Sequence, residues 1–100
     1  STHVISSNTP MNGATIMNLN PAVEIELGLK NAPLQGVVVS ALKNGSVAAR
    51  FLNIGDILLE VNGTAISSVK VIEPALAKPT AKGWVFRILS GGQERTLIVR

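Results

Sequence analysis

The chain of 100 residues has no cysteine and no tyrosine, and only one histidine, one tryptophan and two phenylalanines. Without cysteine there is neither a disulfide framework nor a thiolate metal site, and the redox compartment stays open. The nine Lys and Arg residues are scattered, never adjacent, and the net charge is +3. Basic clusters and aromatic stacking platforms, which nucleic-acid binders use, are both missing, so the charge reads as a solvated surface and no nucleic-acid partner is expected. The one histidine, His3, lies in a polar start and cannot be the fixed base of a Ser-His-Asp triad. No G-x-S-x-G motif occurs. Glu24 and Glu26 point roughly 200° apart on a helix and make no catalytic pair. Metal ligation finds no support in one His and unspaced carboxylates, and Gly91-Gly92 lacks the spacing of a dinucleotide loop; no cofactor is expected. No apolar run approaches the roughly 18 residues of a membrane span, and no signal-like n-region and h-region appear, so direct membrane insertion is not expected. With no starting Met, Ser1 is expected to be a cut inside a longer polypeptide.

What the chain does have is apolar content. Hydrophobic residues make up 46% and charged ones only 15%, the balance of one folded domain with a single core. Ser1 to Pro10 is polar and reads as a linker or flexible end, leaving 11–100 as the domain. Gly13 to Leu19 alternates weakly, as a short strand does. Asn20-Pro21 predicts a helix start, with Asn as cap and Pro at the first position, and Gly28 closes that helix. Lys30 to Gln35 is a predicted loop. Gly36 to Leu42 is β-branched and mostly apolar, a strand buried on both faces.

The densest information lies in Gly45 to Gly63, G-S-V-A-A-R-F-L-N-I-G-D-I-L-L-E-V-N-G. Ser46 can cap a short helix over Val47 to Phe51. Gly55 permits a positive φ, and Asp56 can tie the corner with a local side-chain hydrogen bond. Ile57, Leu58, Leu59 and Val61 form a strand, and Asn62-Gly63 a tight turn. Further on, Ser67 or Ser68 is expected to cap a helix through about Ala77, with Val69, Ile72 and Leu76 on one stripe. Pro74 falls inside it and is expected to kink or split it. Trp84 to Leu89 and Arg95 to Val99 flank Gly91-Gly92 as a closing hairpin, with Trp84 a core or interface anchor. The sum is mainly β with short helices: five or six strands in a small, partly open barrel or sandwich capped by two helices.

This order resembles the PDZ domains of the bacterial HtrA (Do-type) serine proteases. The resemblance is carried by N-P-A-V-E-I-E-L-G-L, G-V-V-V, G-S-V-A-A, G-D-I-L-L-E-V-N-G and the tail G-W-V-F-R-I-L-S-G-G-Q-E-R-T-L-I-V. The tail resembles the end of the last PDZ domain in such proteases, so the chain is similar to a C-terminal PDZ domain in the bacterial, circularly permuted form. The resemblance implies a non-catalytic, periplasmic peptide-binding module. A guest chain would add as a strand to an open sheet edge, its C-terminal carboxylate held by converging backbone N–H groups. The matching carboxylate loop is Met11, Asn12, Gly13 and Ala14, the edge strand Thr15, Ile16, Met17 and Asn18, and the groove helix Val69, Ile72 and Leu76.

Asn12 and Ala14 replace bulky apolar residues of the family pattern, which predicts a shallower, wetter pocket. The glycine that usually follows the A-A helix is also missing. Gly13→Val is expected to abolish peptide binding with little change in fold. Two functions fit. One is capture of C-termini or extended segments of unfolded proteins, regulating or feeding a protease domain. The other is an assembly domain that docks on protease or PDZ domains and binds little peptide.

Overall fold

In chain order the elements are β1 (Thr2–Val4), β2 (Ala14–Asn18), α1 (Pro21–Glu26), β3 (Val37–Leu42), α2 (Ala48–Phe51), β4 (Ile57–Val61) and β5 (Thr64–Ala65). A 3-10 turn at Val69–Val71 then runs into α3 (Ile72–Leu76), followed by β6 (Trp84–Ser90) and β7 (Gln93–Val99). The computed structural model describes residues 2–33 and 35–100; the expected cut at Ser1, and Leu34 in the 30–35 loop, lie outside the described residues. One antiparallel sheet runs β1-β2-β3-β4-β6-β7, with β5 folded back on β4. The mainly β reading holds with seven strands instead of five or six. The unexpected addition is β1, from the presumed linker.

The sheet is buried on both faces near its centre. Val37 and Val39 join a main core with Ile16, Leu58, Val61, Ile72, Leu76, Phe86 and Ile88. Val38 points the other way, into a smaller cluster with Leu19, Val23 and Ile57. Strand alternation sends neighbours to opposite faces, so three consecutive valines serve two cores.

Local chemistry explains the ends. Asn20 Oδ1 accepts from Val23 N–H at 3.0 Å, and Pro21 opens α1. At its far end Gly28, at φ +66°, donates to Ile25 O at 3.2 Å, and Leu29 donates to Glu24 O at 2.9 Å. Those two bonds are a Schellman closure. Ser46 Oγ accepts from Ala49 N–H at 3.2 Å, as expected of a cap. Asp56 accepts from Asn53 N–H at 2.9 Å and, from across the sheet, from Ser90 Oγ–H at 2.6 Å. It is the one buried charged residue among the described residues, and both oxygens have donors. The β6–β7 hairpin turns on Gly91 and Gly92, both at positive φ, between paired Ser90 and Gln93. On the exterior, Arg87 bridges Glu60 and Glu94. Its guanidinium is held above its ordinary pKa, chiefly by the hydrogen bond to Glu94 and then by Glu60.

Candidate peptide groove

The three groups of residues expected to build a groove do come together, on β2, on the turn before it and on the helical segment 69–76. Asn18 at the end of β2 accepts from Val69 N–H at 2.9 Å. The cap of the groove helix is therefore this strand asparagine, and Ser68 makes no capping bond. Pro74 splits the helix as expected: the 3-10 turn precedes it, and α3 restarts at Ile72. That restart puts Pro74 in the first turn of α3, where an N–H would lack a helical partner anyway, so the ring is tolerated. The C-terminal carbonyls of α3 are also taken. Asn62 Nδ2–H donates to Ala75 O and Trp84 Nε1–H to Leu76 O, each at 2.9 Å. Sheet side chains thus hold both ends of the helical wall.

The groove between these walls is not open. β1 pairs antiparallel with β2 through Thr2↔Met17, His3↔Ile16 and Val4↔Thr15, while the other side of β2 pairs with β3. The expectation of an unpaired rim at residues 15–18 is overturned. So is that of residues 1–10 as a loose linker: Thr2–Val4 is a strand, and Ile5 is only 1% exposed. Ile5 N–H donates to Ala14 O at 2.8 Å, and Gly13 N–H to Ile5 O at 2.9 Å. Residues two apart share a face, which brings His3 to the same side as Ile5. There His3 Nε2 lies 3.0 Å from Glu73 Oε2 on α3, and Ser7 Oγ–H donates to Glu73 Oε1 at 3.1 Å. The chain's own residues 2–5 therefore occupy the position of an added strand. His3, which lies in a polar start of the sequence, is half-buried and engaged.

The carboxylate loop fares likewise. Met11 and Ala14 are wholly buried core residues, and Gly13 holds φ +96°. Each of its four amides is engaged inside the chain. Met11 N–H meets Thr9 Oγ1 at 3.3 Å, Asn12 N–H meets Thr9 O at 3.0 Å, and Ala14 N–H meets Met11 O at 3.0 Å. The fourth, Gly13, is bonded to Ile5. Asn12 does not wet a pocket; its Nδ2 donates to Ser6 O and Ser7 O, both at 2.9 Å, and fastens the 6–7 bend. The turn is also joined to the G-S-V-A-A corner through Lys43 N–H to Gly13 O at 2.9 Å and Ala48 N–H to Asn12 O at 3.0 Å. A Cβ at Gly13 would lie 2.2 Å from Ser46 Cβ. Gly13→Val therefore threatens the fold itself, contrary to the expectation of a change in binding alone.

Of the groove-helix stripe, Ile72 and Leu76 are fully buried in the main core and Val69 is half-buried against it. Sequence reading missed β1, Glu73 and Asn62. The signal for β1 was present: T-H-V-I is β-branched apart from His3, with Ile5 two residues on from it.

A seven-stranded antiparallel sheet with short helices, in which β2 and the 69–76 segment flank β1, defines the fold class. The PDZ domain family model matches residues 10–86, and the chain belongs to that family. It is non-catalytic as such. β1 lies upstream of the matched range. Among solved structures, the chain is similar to the HtrA3 PDZ domain bound to a phage-derived ligand, FGRWV, with TM-score 0.68 and 16% identity, over 99% of this chain and 83% of that one. It is also similar to the HtrA-type protease AlgW with a decapeptide, with TM-score 0.66 and 24% identity, over 84% of this chain and 26% of that one. The matched region is thus about a quarter of AlgW. Comparison with curated protein sequences found no match.

Proposed function

We propose that this PDZ domain is the C-terminal PDZ module of a periplasmic Do-type serine endopeptidase, receiving extended segments of unfolded proteins and regulating or feeding a protease domain. One observation carries the reading: the groove between β2 and α3 already holds a strand, residues 2–5, with its hydrogen bonds made and its Ile5 side chain buried. A site that seats one extended segment has the chemistry to seat another. Both similar structures are described with peptides, and in FGRWV an Arg stands two places before the last Val, as His3 stands two places before Ile5. Because the loop amides are engaged within the chain, an internal extended segment suits the groove better than a C-terminal carboxylate. The test is a titration of the 100-residue chain with peptides in free-acid and C-amidated forms. Saturable binding that survives amidation is expected; binding that vanishes on amidation would assign the loop its carboxylate role after all.

The pairing of β2 on both sides favours a second reading, an assembly domain that docks on protease or PDZ domains of the same protein. It calls for no saturable peptide binding and for concentration-dependent self-association in sedimentation.

A further inference from the structure

We infer that the groove selects internal segments with a cationic residue two places before an aliphatic one, taken in exchange for residues 3–5, and that Glu73 sets the preference for the cation. The inference rests on the peptide-receiving reading above and adds the ligand class and the exchange.

The resident segment marks out what the groove accepts. At the anchor position an aliphatic side chain, Ile5, is fully buried in the core cluster that includes Ile16, Ile72 and Leu76. Its carbonyl meets a single loop amide, that of Gly13, and the chain then continues through Ser6 and Ser7. One N–H suits a neutral peptide carbonyl. A terminal carboxylate needs several, and the other three are engaged with Thr9 and Met11. The guest is therefore a continuing chain. Two residues earlier, the side chain on the same face ends at Glu73, whose carboxylate is 40% exposed and within hydrogen-bond distance of His3. An ionised carboxylate accepts only, so the residue there must donate, and Arg or Lys donates with charge assistance. An acidic residue at that position would face Glu73 directly.

Exchange follows from occupancy. The resident strand is tethered to the site, so it competes at an effective concentration that for short links is in the millimolar range. A guest binds only as residues 3–5 leave. Weakening the resident without touching the core should therefore strengthen the guest, and His3→Glu, on the half-exposed side chain, does that by setting like charges together.

The full chain permits a reversible lock, because it contains no thiol of its own. Ile5 donates to Ala14, so Val4↔Thr15 is the neighbouring non-hydrogen-bonded pair, in which cross-strand side chains stand closest. Val4→Cys with Thr15→Cys would tie β1 to β2 on oxidation and release it on reduction. The probes are fluorescein-labelled, C-amidated Thr-Arg-Val-Ile-Ser-Ser and its counterpart with Glu in place of Arg, read by fluorescence polarisation. We expect binding of the Arg probe to the reduced double variant, no binding to the oxidised one, and tighter binding to His3→Glu than to the parent. The Arg probe should bind about fivefold more tightly than the Glu probe, the upper range for a half-exposed ion pair, and Glu73→Gln should remove that difference. Equal binding in the locked and reduced states, or discrimination that survives Glu73→Gln, overturns the inference and leaves the peptide-receiving reading standing. No binding of either probe to any variant, His3→Glu included, overturns both.

Discussion

Replacing Asn62 by alanine should cost this domain a large share of its stability. Asn62 sits at φ +51°, and its side chain donates to Ala75 O at 2.9 Å and accepts from Val85 N–H at 2.8 Å. Each lost bond is worth about 1–1.5 kcal/mol when its partner is left half-buried and unpaired. Forcing alanine into the left-handed region adds roughly 1 kcal/mol, a strain that Asn largely escapes. The sum is about 3–4 kcal/mol, a large part of the roughly 5–15 kcal/mol that holds a domain of this size together. Urea unfolding with an unchanged m-value would read it directly. In thermal melts the same loss is roughly 12–32 °C, at about 4–8 °C per kcal/mol. Asn62→Gly serves as the control, since it keeps the backbone freedom and loses only the bonds; it should recover roughly 1 kcal/mol. The reasoning fails if Asn62→Ala loses less than about 1 kcal/mol, or if Asn62→Gly is no better than Asn62→Ala.

Ile5→Ala should destabilise the chain by about 2–4 kcal/mol through a core cavity, measured by urea unfolding; a neutral result would return residues 1–10 to the role of a linker. Gly13→Val should lose dispersed amide signals in NMR, because its Cβ collides with Ser46, whereas a folded variant would show that the turn can shift. Ser90→Ala leaves one oxygen of buried Asp56 without its hydroxyl donor and should cost about 1–3 kcal/mol by the same unfolding assay. Pro74→Ala should change stability by less than roughly 0.5 kcal/mol, since the proline occupies a first-turn position where it breaks no helical bond.

Most of the frame was legible because its signals are local. Asn20-Pro21 with Gly28, Ser46, Gly55-Asp56, Asn62-Gly63 and Gly91-Gly92 each mark an end by chemistry that acts within a few residues. The valines at 37–39 announced a strand with two covered faces. What escaped were partnerships across the sequence. Nothing near Val69 says that Asn18, fifty-one residues distant, caps its helix. Nothing near Asn62 says that its amide reaches Ala75 and Val85. Of the candidate site, the structure brings β2, the turn before it and the 69–76 segment together, and seats β1 where an open edge was expected. Residues 2–5 were judged by the polar tail that follows them, Ser6 to Thr9, which hid the β-branched run before it. Only the pairing of β1 with β2 reveals that this run fills the place reserved for a guest.

The amide of Gly13 faces Ile5, its carbonyl faces Lys43, and the carbonyl beside it faces Ala48. A loop bonded in this way cannot reshape alone. In hydrogen–deuterium exchange the amides of Lys43 and Ala48, which donate to the loop carbonyls, should open as one cooperative unit, at a free energy above that of the fraying β1 end. Any ligand that needed this turn remodelled would have to unlatch the G-S-V-A-A corner with it.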